Sequence, residues 1–372
     1  MVLLCRGLVL SRSDPCCARR HFRATTLQNR FKILFLGRDE FSCAIFEELH
    51  ASPDVWESIS VATNPDTRSI QSPLRPLAQS LNVPVIFIPP DKPDFKHWKP
   101  PPPFFESRPD HLLLTASFGR ILTPAQLDLF PPVGRLNVHG SVLPAYRGPA
   151  PIQHAILDNA PTTGVSVAQM LKRGIDKGPV WGTVEIPVSP SATFTSLRAE
   201  LAAQGGRLLV SVLRDMLAGT ARSTPQPSDS PTPHARSITT ADAILDFAAM
   251  TADDIVTLHR AIGHQRALTT WLPSGVRLHL YDPAIFPSCS WSSSSSPPPT
   301  LSDTPGTLAY YKPLRTLLIR CAAGSVLAVP RVQKEKRRNA IEAREFWNGM
   351  VPVRGLVVDG QVRLVRMEGA GV

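Results

Sequence analysis

The feature that most constrains this chain is a series of short apolar runs, in its first half, separated by stretches of helical spacing. Residues 31–37 (FKILFLG) are apolar, brief and closed by glycine, which predicts a buried strand. Residues 58–63, 83–88 and 111–116 repeat the pattern, and 135–139 add a shorter run. Between them, 41–50, 73–81, 124–130 and 149–158 carry helical spacing. Thr123 is placed as an N-cap, with Pro124 at the first helical position. Strands alternating with helices predict an α/β unit with a mostly parallel sheet covered on both faces. A long helical stretch, 193–218, closes that unit.

The chain is long enough for two domains. Its 38 prolines fall in places that suggest where they divide. Residues 89–109 include four consecutive prolines, Pro100 to Pro103, and read as a surface loop. Residues 222–235 begin RSTPQPSDSPTPH, hold four prolines and no apolar run, and read as a linker between a first domain, 31–221, and a second domain, 236–372. After a helix around 253–262, the second domain shows short strand-like runs at 276–281, 306–311, 316–322 and 325–329. That spacing suits a small β-barrel or sandwich. Residues 288–305 (SCSWSSSSSPPPTLSDTP) are low in complexity and read as a disordered insertion.

Charge is uneven along the chain. Residues 1–30 hold six arginines and one acid, Asp14, and carry hydroxyls at Ser11, Ser13, Thr25 and Thr26. Arg-rich, acid-poor composition of this kind fits a mitochondrial presequence and a matrix protein; the plain alternative is a basic tail. Residues 31–235 balance 18 basic against 18 acidic groups, and 236–372 hold 16 against 11. No apolar run approaches bilayer length, so no membrane span is expected. The six cysteines have no CxxC spacing, which indicates neither a metal site nor a disulfide framework.

The stretch richest in chemistry is 135–153, RLNVHGSVLPAYRGPAPIQ. Asn137 and His139 are two apart, so on a strand they point to one side. The strand stops at Gly140, which puts the pair at its carboxyl end, the edge where open parallel sheets bind ligands. Further on, TGVSVAQMLKRGIDKG (163–178) reads as a strand and then a loop presenting Asp176 between Gly174 and Gly178. An amide that donates to an oxyanion, an imidazole that moves protons near neutrality and a carboxylate that orients it together suit acyl transfer to an amine. By spacing alone, a histidine at a strand end is more often structural than catalytic, and the glycines are explained as turn residues.

LNVHGSVLPAYRGPAPIQ resembles the signature of the folate-dependent formyltransferases, most closely the branch whose acceptor is a methionyl-tRNA. GRDEF (37–41), ASFGRILTPAQL (116–127), TGVSVAQM (163–170) and EFWNG (345–349) resemble further segments of that family. The resemblance runs from residue 31 onward and weakens after the linker. It implies a Rossmann-like formyltransferase domain followed by a small OB-like β-barrel that binds tRNA. It also implies a catalytic trio of Asn137, His139 and Asp176, with no metal. The implied formyl donor is 10-formyltetrahydrofolate, bound around Phe118, Ser141, Val142, Leu143 and Pro144. The implied acceptor is initiator methionyl-tRNA, and a monomer is expected. From the residues themselves, 118–121 and the main chain near Leu143 form at most a candidate apolar slot, and Phe118 serves equally well as core.

The sequence also departs from the family. The loop 63–75, long and basic in bacterial members, is short here and carries only Arg68 and Arg75. Ser237 stands where the family has a lysine, and GHQRALTTW (263–271) replaces an Asn-Pro-Trp-Pro-like segment. Candidate RNA contacts are therefore Arg68 and the run Lys334, Lys336, Arg337 and Arg338, which could equally be a solvated turn. Two other readings stay open: a formyltransferase for a small-molecule amine, and an RNA-binding relative without catalysis.

Overall fold

The computed structural model describes residues 30–65, 71–227, 232–286, 298–352 and 355–367. Nearly all of the expected presequence, together with Arg68 and part of the 288–305 insertion, lies outside the described residues.

Five parallel strands form the heart of the first region: β1 (Phe31–Leu36), β2 (Trp56–Thr63), β3 (Val85–Phe87), β4 (His111–Ala116) and β5 (Arg135–His139). Two antiparallel strands, β6 (Thr162–Gln169) and β7 (Val180–Pro187), extend the same sheet. The order is β3-β2-β1-β4-β5-β6-β7. The chain therefore winds one way from β1 to β3 and the other way from β4 onward, leaving a crevice at the carboxyl ends of β1 and β4. The connecting helices are α1 (Glu40–His50), α2 (Leu74–Ser80), α3 (Lys92–His97), α4 (Pro124–Leu127) and α5 (Pro151–Leu157), and α6 (Phe194–Ala218) follows β7.

Every residue of β4 is buried, as expected for a strand covered on both faces. On one face α1 and α6 pack together over the sheet. Gly205 and Gly206 allow this: a Cβ on Gly206 would lie 2.7 Å from Glu48 Cβ, and one on Gly205 would lie 3.0 Å from Val138 Cγ1. α6 starts at Thr193, whose hydroxyl accepts from Ser196 N at 3.2 Å, and stops at Gly219 with φ +70°. On the other face lies a second core of Leu34, Leu36, Leu113, Phe118, Leu127 and Phe130.

That second core corrects the reading of 89–109 as a plain surface loop. The segment contains α3 and buries Phe95 and Phe104, with Phe104 stacked near Phe130 at 5.7 Å. Two aromatic anchors outweigh the prolines around them. α4 ends at Leu127 and not at 130; the chain turns there because the Phe130 carbonyl accepts from Arg135.

The second region begins with α7 (Ala252–Ile262), which packs on α5 and α6. Its strands are β8 (Leu268–Trp271), β9 (Arg277–Tyr281), β10 (Ala284–Ile285), β11 (Thr307–Tyr311), β12 (Thr316–Arg320), β13 (Val326–Val329), β14 (Arg331–Lys334), β15 (Ile341–Glu342) and β16 (Val362–Arg363), with α8 (Ala343–Asn348) after β15. They form two antiparallel sheets, β10-β13-β12-β11-β16 and β15-β14-β9-β8, joined by a Trp271–Val365 bridge. Pro330 separates β13 from β14 and so marks the corner where the chain changes sheet. Residues 298–305 are not the free excursion their composition suggests: Leu301 is buried beside Phe286 and Tyr311, and its carbonyl accepts from Arg320.

The two regions share one continuous apolar core. At their junction Arg260 Nη1 donates to Ala192 O at 3.0 Å, and the His264 ring stacks on Phe194 at 3.6 Å. The proline-rich segment between them is docked along its described length. Thr224 pairs with Val180, His234 pairs with Arg147, and Ala235 is fully buried.

Candidate active site

β5 brings Asn137 and His139 to the carboxyl edge of the sheet. Asn137 pairs in register with Thr115 on β4, and the Thr115 hydroxyl donates to Asn137 Oδ1 at 2.7 Å. With its oxygen engaged, the amide keeps both Nδ2 hydrogens; among the described residues no acceptor takes them. Asn137 is therefore set as a donor, the role an oxyanion needs.

His139 is buried, at 6% exposure. Its Nε2 lies 2.9 Å from the Tyr146 carbonyl, which can only accept, so the hydrogen sits on Nε2. Nδ1 then faces Asp176, whose Oδ1 is 3.9 Å away. That gap is too long for a direct hydrogen bond. A third heteroatom about 2.8 Å from each would bridge it.

Asp176 has φ +55°, a left-handed conformation that few non-glycine residues adopt. The loop tolerates it because the neighbouring main chain is tightly held. A Cβ on Gly178 would fall 1.8 Å from Gln169 O, so only glycine fits there. Asp176 Oδ2 accepts from Gly148 N at 3.0 Å, and Gly148 itself, at φ +120°, lies so close to the Ala235 carbonyl that a Cβ would clash at 2.4 Å. The carboxylate is thus fixed by the loop that follows β5.

The turn at 141–144 is held from below by Ser166 on β6. Its hydroxyl donates to Ser141 O at 2.8 Å and accepts from Leu143 N at 3.1 Å. Ser141 is fully buried and bonds Ala145 O, so it shapes the turn and leaves no free hydroxyl. Val142 is half-buried, while Leu143 and Pro144 line a cavity of about 330 Å³ together with Trp181, Thr183, Arg222 and Gln226. Trp181 Nε1 is buried without a partner among the described residues.

Phe118 does not face that space. It is 5% exposed and packs edge-on against Phe95 at 5.8 Å, in the second core. Ile121, 71% exposed, is the apolar side chain this segment presents to solvent. Near the β1 end, burial pushes the Asp39 carboxyl above the usual carboxylate range while it caps α1 through Ser42 N.

The basic run begins at the last residue of β14 and continues into the β14–β15 connection, in the second region. Lys334 is half-buried with its ammonium 5.2 Å from the Phe346 ring, whereas Lys336, Arg337 and Arg338 are exposed. The Asp176 loop carries cations that the sequence pattern does not single out. Arg173 and Lys177 are exposed, and Lys172 pairs with Asp128 at 2.6 Å. Thr115, Ser166, Arg147 and Gln226 also emerge only from the structure. Thr115 has a sequence signal, as a polar residue near the end of an otherwise apolar strand. Gln226 has none, since its neighbours are prolines.

Comparison with known proteins places this arrangement. A family model described as formyl transferase matches residues 106–213, a span that includes the whole trio. The mitochondrial methionyl-tRNA formyltransferase of Mus musculus is 30% identical over 328 residues, covering 86% of this chain and 78% of that protein. The methionyl-tRNA formyltransferase of Alcanivorax borkumensis is 33% identical over 282 residues, covering 74% and 79%. An N-formyltransferase from Helicobacter canadensis, solved with folinic acid and dTDP-3-aminofucose, has a TM-score of 0.53 at 17% identity over 82% of this chain and 99% of that one, a likeness of fold alone. Identity sustained along most of both chains, in relatives that span mitochondrial and bacterial forms, makes this chain a member of the methionyl-tRNA formyltransferase family.

Proposed function

We propose that this chain transfers the formyl group of 10-formyltetrahydrofolate to the α-amine of initiator methionyl-tRNA in the mitochondrial matrix. The observation that carries the proposal is the tautomer and aim of His139: Nε2 is committed to the Tyr146 carbonyl, so Nδ1 faces Asp176 across a gap that an amine nitrogen can bridge.

In this reading the methionyl amine attacks the formyl carbon, forming a C–N bond and a tetrahedral oxyanion. Asn137 Nδ2 donates to that oxyanion, held in place by Thr115. His139 Nδ1 takes a proton from the attacking nitrogen, and Asp176 stabilises the imidazolium. The proton passes to N10 of the folate as its bond to the formyl carbon breaks, which leaves tetrahydrofolate and formyl-methionyl-tRNA. Folate binding is assigned to the 141–144 turn and the Ile121 side of the crevice, with Phe118 supporting the wall from behind. The mitochondrial relative and the arginine-rich first thirty residues support the location.

The tRNA is assigned two sets of cations. Arg173 and Lys177 flank Asp176 and suit the acceptor end. Lys336, Arg337 and Arg338 suit phosphates further away, and Lys334 takes part less directly because it packs on Phe346. The test is an assay of purified protein with 10-formyltetrahydrofolate and either methionyl-tRNA or small amines. Formylated methionyl-tRNA is the expected product. Transfer only to small amines would replace the acceptor, and no transfer to any amine would overturn the activity.

A further inference from the structure

The segment after α6 crosses both loops of the site. Thr224 N and O pair with Val180 O and N at 2.8 and 2.9 Å. At its far end Pro233 O accepts from Tyr146 N at 2.7 Å, Thr232 Oγ1 donates to Pro144 O at 3.0 Å, and Ala235 N donates to Arg147 O at 2.8 Å. Tyr146 is the residue whose carbonyl fixes the His139 tautomer. Between the two anchors, Gln226 is used at both ends of its side chain. Oε1 accepts from Arg147 Nε at 3.0 Å and Nη2 at 2.7 Å. Nε2 donates to the carbonyls of Asp176 at 2.9 Å and Gly178 at 2.7 Å.

We propose that Gln226 is a positioning residue for Asp176: its carboxamide locks the loop after β5 to the Asp176 loop and holds the carboxylate against His139. The proposal rests on the formyl-transfer reading above. Asp176 occupies a left-handed conformation, which persists only where the surroundings over-determine it. Gly148 N fixes its carboxylate, and Gln226 fixes its carbonyl while gripping Arg147, the residue just before Gly148. Main chain and side chain of one aspartate are thus referred to two consecutive residues of the other loop.

Only an amide fills this place. It must accept from a guanidinium and donate to two carbonyls, whereas glutamate only accepts and lysine only donates. Glutamate therefore separates two roles. It keeps the size and strengthens the pairing with Arg147, but sets carboxylate oxygens against the carbonyls of Asp176 and Gly178.

The experiment compares full-length wild type with Gln226→Glu and Gln226→Ala, by steady-state kinetics with 10-formyltetrahydrofolate and methionyl-tRNA. It adds amide hydrogen exchange of peptides spanning 174–178. The expected result is a kcat roughly tenfold lower in both variants, with both KM values within about twofold of wild type. The Glu variant should keep the wild-type melting temperature and lose exchange protection in the loop. Wild-type kcat in Gln226→Glu, or a loss confined to KM, would overturn the proposal, since a purely structural anchor is preserved by the Arg147–Glu pair. If the wild type itself does not formylate methionyl-tRNA, the functional reading falls separately. The exchange result then decides the clamp: weakened protection supports it, and unchanged protection overturns it.

Discussion

The parallel-sheet region and the antiparallel region bury their strands equally well but place their polar groups differently. In the first, polar side chains cluster where parallel strands end. Thr115, Asn137, His139, Ser166 and Asp176 are buried or half-buried, and each has a named partner. In the second, the notable polar groups are exposed cations on the β14–β15 connection, with Gln333 Nε2 bonding the carbonyls of Arg337 and Arg338. Chemistry on a formyl group needs donors fixed to within tenths of an ångström, and burial supplies that rigidity. Binding a phosphate backbone needs accessible charge, for which exposure is the requirement.

The contrast breaks first at His139. His139→Ala should lower kcat by about 10²–10⁴-fold while leaving a folded protein, because the fold gives up one hydrogen bond to the Tyr146 carbonyl and the packing of a single buried ring. Turnover and thermal unfolding measured together check it, and an unchanged kcat removes His139 from the chemistry.

Thr115→Val sharpens the same side. Valine keeps the strand and the volume but leaves Asn137 Oδ1 without its donor, freeing the amide to rotate. A roughly tenfold loss in kcat is expected, with a fall of about 1 kcal/mol in stability. A kcat equal to wild type would show that Asn137 holds its orientation unaided.

Replacing Lys336, Arg337 and Arg338 with alanine tests the other region. The KM for methionyl-tRNA should rise several-fold with kcat little changed. The dependence of log(kcat/KM) on log salt should flatten by roughly 0.7–0.9 for each phosphate that is no longer neutralised. An unaltered slope would take this hairpin out of the interface.

The smallest effect is expected at the junction. The His264 imidazole is held below its ordinary value, first by burial against Phe194 and then by the nearby Arg198 charge. The folded protein therefore favours the neutral ring. Its contribution to stability is full above the ordinary value of 6.5 and is lost as pH falls below it. The outer face of the ring meets solvent, so the loss is modest. Melting temperatures at about pH 7.5 and about pH 5 should differ less in His264→Phe than in wild type; equal differences would exclude the ring as the cause.

Much of the site is legible in residues 135–153 and 163–178, because both segments carry local signatures: a strand that stops at Gly140, and a carboxylate flanked by glycines. The helix in 89–109 is not legible. Phe95 and Phe104 find their core only after β4 and α4 are in place. Phe118 reads as a folate ligand or as core from its position alone, and its 5% exposure comes from packing against Phe95. β7 and β14 escape detection because neither run alternates cleanly, and each is defined by the partner strand beside it.

By itself the sequence determined the order of the strands β1 to β6 along the chain, the edge on which Asn137 and His139 stand, and the distribution of charge between the chain's ends and its middle. Each of these follows from local pattern or from counting. Tertiary structure alone decided which nitrogen of His139 carries the hydrogen, how Thr115 turns Asn137 into a donor, and that a proline-rich segment lies across the site with Gln226 at its centre. These depend on groups from 7 to 79 residues apart meeting at hydrogen-bond distance, and periodicity along the chain carries no information about such meetings.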